Sequence, residues 1–90
     1  MSARHDREAI YRVLYQNADR SGVIIPTQLE MAKILGIPYQ RLSTIYKEFI
    51  LTGRMKKYRH TFQVFNPDLF NWDGAWEAER QAAIKADVLT

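Results

Sequence analysis

Apolar residues recur along this chain first at helical and then at strand spacing, and the switches mark its elements. Ile10, Val13 and Leu14 lie three and four apart, Asn17 continues the stripe, and Tyr11 and Tyr15 widen it. This predicts an amphipathic helix from about Asp6, its cap, to Ala18. The turn-favouring run Asn17-Ala18-Asp19-Arg20-Ser21-Gly22 ends it. Val23-Ile24-Ile25 are adjacent β-branched residues, too few for an independent strand but enough for an edge strand that stops at Pro26. Thr27-Gln28-Leu29-Glu30 has the spacing of a capping box, so a second helix starts at Thr27. Its apolar side is Leu29 or Met31 with Ala32, Ile34 and Leu35, and Gly36 is suited to the left-handed residue that closes it. The pattern resumes as Leu42, Ile45, Tyr46, Phe49 and Ile50, a third helix with Pro38 in its first position that ends at Thr52-Gly53.

Beyond Gly53 the spacing changes. Met55 to Tyr58 and Thr61 to Phe65 are extended stretches joined by Arg59-His60, which predicts a β-hairpin. Asn66-Pro67-Asp68 has the form of a cap and first turn of a short helical piece carrying Leu69, Phe70 and Trp72, and Asp73-Gly74 can cap a last helix from Ala75 to about Val88. The expected fold is α+β and mostly α: a three-helix core with a small antiparallel hairpin over residues 1–65, then a C-terminal helical extension, 66–90. Helix, short strand, helix, tight turn, helix and basic hairpin, in that order, form the winged helix-turn-helix plan.

Ninety residues make one small domain, and 47% apolar residues suffice for a core. With no cysteine, disulfides, thiolate metal sites and cysteine nucleophiles are excluded. No apolar run approaches the roughly 20 residues that span a bilayer. The N-terminus, MSARHDRE, is charged where a secretory signal is apolar, so a cytoplasmic protein with no membrane contact is expected. The net charge of +3 is unevenly placed. Residues 39–65 carry Arg41, Lys47, Arg54, Lys56, Lys57 and Arg59 against Glu48 alone, a net +5, whereas residues 66–90 are net −3. A focused basic segment is the footprint of a polyanion binder.

Residues 25–55, IPTQLEMAKILGIPYQRLSTIYKEFILTGRM, carry a more specific pattern. Ile25-Pro26-Thr27, Met31-Ala32, Leu35-Gly36-Ile37, Leu42, Ile45, Phe49, Gly53 and Met55 match, without insertion, the DNA-binding domain of the GntR family, which this stretch resembles. The resemblance implies a winged helix on double-stranded DNA, with residues 39–52 as the recognition helix. The chain departs from that family in having Pro38-Tyr39 where Ser-Arg is usual, and Tyr58-Arg59-His60 where the wing usually has Gly-x-Gly. It also lacks room for the family's large effector domain, so neither a small-molecule effector nor a cofactor is expected.

Candidate contacts come from the outward side of the third helix, where Tyr39, Gln40, Arg41, Ser43, Thr44, Lys47 and Glu48 remain once Leu42, Ile45 and Phe49 turn inward. Gln40, Arg41 and Thr44 suit base edges in the major groove. Thr27, Tyr39, Ser43 and Lys47, with Lys56, Lys57 and Arg59 of the wing, suit the DNA backbone, and the wing cations can also enter a groove. No catalytic or metal-binding residue is expected: His5 and His60 lack partners at ligand spacing, Ser21 and Ser43 lack a base, and Asp68 and Asp73 read as helix caps. The expected function is thus a small, repressor-like transcriptional regulator of a prokaryote, phage or plasmid, or alternatively a protein-interaction module docking on a polymerase or a replication or partition protein. Exposure of Trp72 and Trp76 separates these readings. The last helix, with Trp76, Ala83 and Ile84 or Val88 on one side, leaves two arrangements open, packing on the core or a homodimer through residues 70–89.

Overall fold

The computed structural model describes residues 3–89, with the side chains of residues 7–73 and 76–87. It is a small α+β domain, mostly helical, in which helices α1 (Ala3–Gln16), α2 (Gln28–Leu35) and α3 (Tyr39–Leu51) precede an antiparallel hairpin, β1 (Met55–Tyr58) and β2 (Thr61–Val64). A single 3-10 turn, Pro67–Leu69, then leads into α4 (Gly74–Leu89). Among the described residues no helix is long and apolar enough to cross a membrane.

α1 begins at Ala3, upstream of the predicted cap Asp6, which therefore lies within the helix; the side chains of His5 and Asp6, and that of Val88, fall outside those described. Ile10, Tyr11 and Leu14 are its buried residues, while Val13 is half-buried and Tyr15 lies at the surface. Tyr11 takes a central place because its ring meets Phe49, Phe70 and Trp72 at centroid distances of 5.1, 5.8 and 5.0 Å. Its hydroxyl donates to the Arg54 carbonyl at 2.7 Å and accepts from the Phe65 amide at 2.9 Å. One phenol thus ties α1 to both arms at the open end of the hairpin, and burial pushes its ionisation up to about 12.

The capping box at α2 is complete: the Thr27 hydroxyl accepts from the Glu30 amide, and the Glu30 carboxylate accepts from the Thr27 amide. Gly36 closes the helix in the left-handed conformation, φ 69°. Met31 and Ala32 face the core, whereas Leu29 and Ile34, assigned to the apolar side from sequence, are 54% and 55% exposed. A helix of eight residues, packed mainly on α3 and less on α1, buries only a narrow stripe. Pro38 is the N-cap of α3 in extended conformation, one position earlier than expected, and Leu42, Ile45, Tyr46 and Phe49 pack inward.

Val23-Ile24-Ile25 does not form a strand. Single bridges pair Val23 with Gln63 and Ala18 with Ile24, and Ile25 is 72% exposed. Gly22 (φ 86°) lies so close to β2 that a Cβ there would sit 2.2 Å from the Val64 carbonyl oxygen. The hairpin pairs Met55 with Val64 and Tyr58 with Thr61, and Arg59 in its two-residue turn adopts φ 54°.

Asn66 caps the 3-10 turn by accepting from the Asp68 amide, while the Asp68 carboxylate, expected to be a cap, pairs with Arg12 at 3.0 Å. α4 starts one residue earlier than expected, and at its entry the Asp73 carbonyl accepts from the Trp76 amide. Trp72 and Trp76 are buried in the same core as α1 and α3, with Trp76 against Phe49 at 5.8 Å. These large rings extend a core that three short helices alone would leave small.

Candidate nucleic-acid interface

α3 turns Leu42, Ile45, Tyr46 and Phe49 inward, so at about 100° per residue Gln40 and Lys47 come to the middle of its exposed arc. Tyr39 and Ser43 flank them on the hairpin side and Thr44 on the α4 side. Arg41 stands apart from this row. It borders an apolar groove of about 440 Å³ formed by α1 and the turn before α3, with Ile10, Val13 and Ile37 among its walls.

The starts of α2 and α3 and the tip of the hairpin meet around an open depression of about 250 Å³. Thr27, Tyr39, Lys57 and Arg59 all border it, so four predicted backbone-contacting residues from three elements share one surface. Gln28, His60 and Phe62 complete the rim, and the sequence reading did not select them. His60 was legible as a turn residue beside Arg59, but Gln28 becomes significant only because α2 packs against α3, where its amide donates to the Ser43 hydroxyl at 2.5 Å. The Phe62 ring anchors the hairpin by packing edge-on against Tyr46 at 4.8 Å. The depression combines two cations with amide and hydroxyl groups and two aromatic rings, a lining suited to a sugar-phosphate chain.

Other candidates point elsewhere or are already engaged. Lys56 and Lys57 are neighbours on a strand and so face opposite sides of the hairpin. Lys57 lies 5.9 Å from the Phe62 ring centroid and Lys56 the same distance from that of Phe65, so only Lys57 joins the depression. The Thr44 hydroxyl donates back to the Gln40 carbonyl at 3.2 Å, and the Thr27 hydroxyl is occupied by its capping bond. Lys47 is ion-paired with Asp87 at 3.1 Å.

Two charges of the basic segment are buried. Glu48, predicted to face outward, is 4% exposed and accepts from Arg7 at 2.8 Å, with Arg80 at 3.6 Å. Arg54 is 2% exposed: it pairs with Glu79 at 2.9 Å, donates to the Asn71 carbonyl at 3.0 Å and is ringed by Phe70, Trp72 and Trp76. Arg54 therefore contributes little to the surface field that its place in the sequence suggested. Partners 25 to 41 residues away decided both cases, and no local pattern announces them.

Among the described residues no group of three or more His, Asp or Glu side chains is placed to hold a metal ion. No protein-family model, curated protein or solved structure matches this chain, so its functional reading rests on its own residues and their geometry.

Proposed function

We propose that this chain is a sequence-specific double-stranded DNA-binding protein of the winged helix-turn-helix type, a small regulator that acts by occupying its site. In this reading α3 enters the major groove with Gln40 at its centre, and Thr44 and Arg41 reach base edges on the α4 and α1 sides. The hairpin tip, through Lys57 and Arg59, holds the backbone together with Tyr39 and Thr27. The single observation that supports it most is the shared depression, where the helix starts and the cationic hairpin tip converge beside the exposed arc of α3. The GntR-like pattern of residues 25–55 agrees with it. The alternative, a protein-docking module, gains ground if both tryptophans are exposed, whereas Trp72 and Trp76 are 5% and 0% exposed.

Iterative selection from random duplexes at about 150 mM salt tests the proposal, since phosphate-only binding is largely suppressed there. Enrichment of one motif, lost when Gln40, Arg41 and Thr44 are replaced together by Ala, is the expected result. Binding without enrichment, or a motif preference unchanged in the triple variant, overturns sequence readout by this face; absence of binding overturns the DNA reading itself.

A further inference from the structure

Three consecutive residues of α3 are each held by α4. Phe49 packs on Trp76 at 5.8 Å, Glu48 meets Arg80 at 3.6 Å, and Lys47 meets Asp87 at 3.1 Å. The series climbs from the core, where Phe49 and Trp76 are fully buried, to the surface, where the Lys47 side chain is 65% exposed. α4 therefore rises across α3 and ends beside its outward face. There Thr44, Lys47, Glu48, Leu51, Ile84 and Asp87 border an open cleft of about 300 Å³.

A carboxylate at this position acts on an approaching phosphate in two ways: it neutralises the Lys47 cation, and it adds a like charge well within the Debye length of about 10 Å. Glu48 borders the same cleft, but it is buried and its charge is matched by Arg7 and Arg80, so it adds little to the field that a phosphate meets there. We propose that the Asp87 end of α4 is an intramolecular competitor for DNA phosphate at Lys47, so that duplex binding requires this ion pair to open and its removal tightens binding. The inference rests on the reading of α3 as the helix that meets DNA.

Asp87→Asn, Lys47→Gln, the double variant and the control Asp73→Asn, each with wild type, are titrated onto the selected duplex across a range of salt. Asp73 supplies the same change in net charge from the entry to α4. Asp87→Asn is expected to bind two- to fivefold tighter at about 0.1 M salt, the range that release of one exposed ion pair allows. The slope of log K against log salt is expected to steepen by up to about 0.9, because wild type, on opening the pair, leaves Asp87 to take up a cation and so loses part of the counterion release that one phosphate contact gives. In the Lys47→Gln background the Asp87 substitution is expected to keep only the smaller gain from losing a like charge, less than half of that in wild type, and Asp73→Asn is expected to leave affinity within twofold of wild type. An unchanged or weaker Asp87→Asn, a gain just as large without Lys47, or an equal gain from Asp73→Asn overturns the competition. Failure of wild type to bind any duplex overturns the DNA reading, and the inference with it, and is recognised from wild type alone.

Discussion

The Arg54 guanidinium lies 4.5 Å from the centre of the Trp76 ring while pairing with Glu79 at 2.9 Å, so a residue at the foot of the hairpin holds the C-terminal helix by its aromatic and its acidic side at once. The two attachments differ in weight, because Arg54 is buried whereas the Glu79 side chain is 53% exposed. Arg54→Ala is expected to lower stability by about 3 kcal/mol, through a lost partner for the Asn71 carbonyl and a cavity among three rings. Glu79→Ala is expected to cost about 2 kcal/mol, less than Arg54→Ala because the carboxylate is half-exposed, but more than a surface pair because the buried Arg54 cation keeps only the Asn71 carbonyl and the aromatic rings. Urea unfolding of both variants measures the difference.

Glu48 is the buried counter-ion of two arginines from different helices. Glu48→Ala leaves the Arg7 and Arg80 guanidinium groups facing each other across a cavity, and a loss of about 3 kcal/mol is expected. Arg80→Ala leaves Glu48 its closer partner, Arg7 at 2.8 Å, so it is expected to cost less than Glu48→Ala. Thermal unfolding of the two single variants ranks them.

Gly22 and Gly36 both have positive φ, but only Gly22 meets backbone where a Cβ would go. Gly36→Ala is expected to cost roughly 1 kcal/mol, the penalty of the left-handed conformation alone. Gly22→Ala adds a collision with the Val64 carbonyl, so roughly 3 kcal/mol is expected, together with loss of protection of the Val64 amide, which donates to Gly22. Equilibrium unfolding and amide exchange test this pair.

Tyr11 ionises at about 12 in the folded chain, against an ordinary value near 10, because burial disfavours the phenolate. The folded state therefore binds more protons than the unfolded one between these values, so the stabilisation is complete below about pH 10 and is lost as pH rises toward 12. Alkaline titration is expected to show tyrosine ionisation and unfolding together above pH 10. Burial raises the ionisation of Tyr46 as well, so Tyr11→Phe is expected to weaken that dependence without removing it, while lowering neutral-pH stability by about 2 kcal/mol, since the Arg54 carbonyl and Phe65 amide lose their shared partner.

Lys57 and Arg59 border the depression, whereas Lys56 faces the other side of the hairpin. In the proposed complex, replacing Lys57 and Arg59 by Gln reduces the salt slope of duplex binding by about 1.8, the equivalent of two phosphate contacts, with the preferred motif retained. Lys56→Gln is expected to change the slope by less than half as much. Fluorescence anisotropy at several salt concentrations reads both.

Much of the fold was legible because its signals are local. The 3.6-residue period of Leu42, Ile45 and Phe49 requires only the neighbouring turns, and the Thr27–Glu30 capping box closes within four residues. The hairpin followed from two extended stretches joined by a short basic turn, and the basic tip that joins the proposed interface was visible as a charge cluster. Val23 to Ile25 was overestimated because β propensity describes a half-buried surface, and this segment receives only isolated bridges from β2.

Composition and periodicity thus determined the order of the elements, most of the inward side chains and the location of the cationic segment, since each depends on contacts within a few residues. Tertiary structure alone decided the use made of the charges. Glu48 and Arg54 lie inside because Arg7, Arg80 and Glu79 reach them from other helices, and Lys47 is neutralised because α4 crosses α3. The physical reason is that burying a charge becomes tolerable only when a partner is delivered to it, and here the partners come from positions 25 to 41 residues away along the chain.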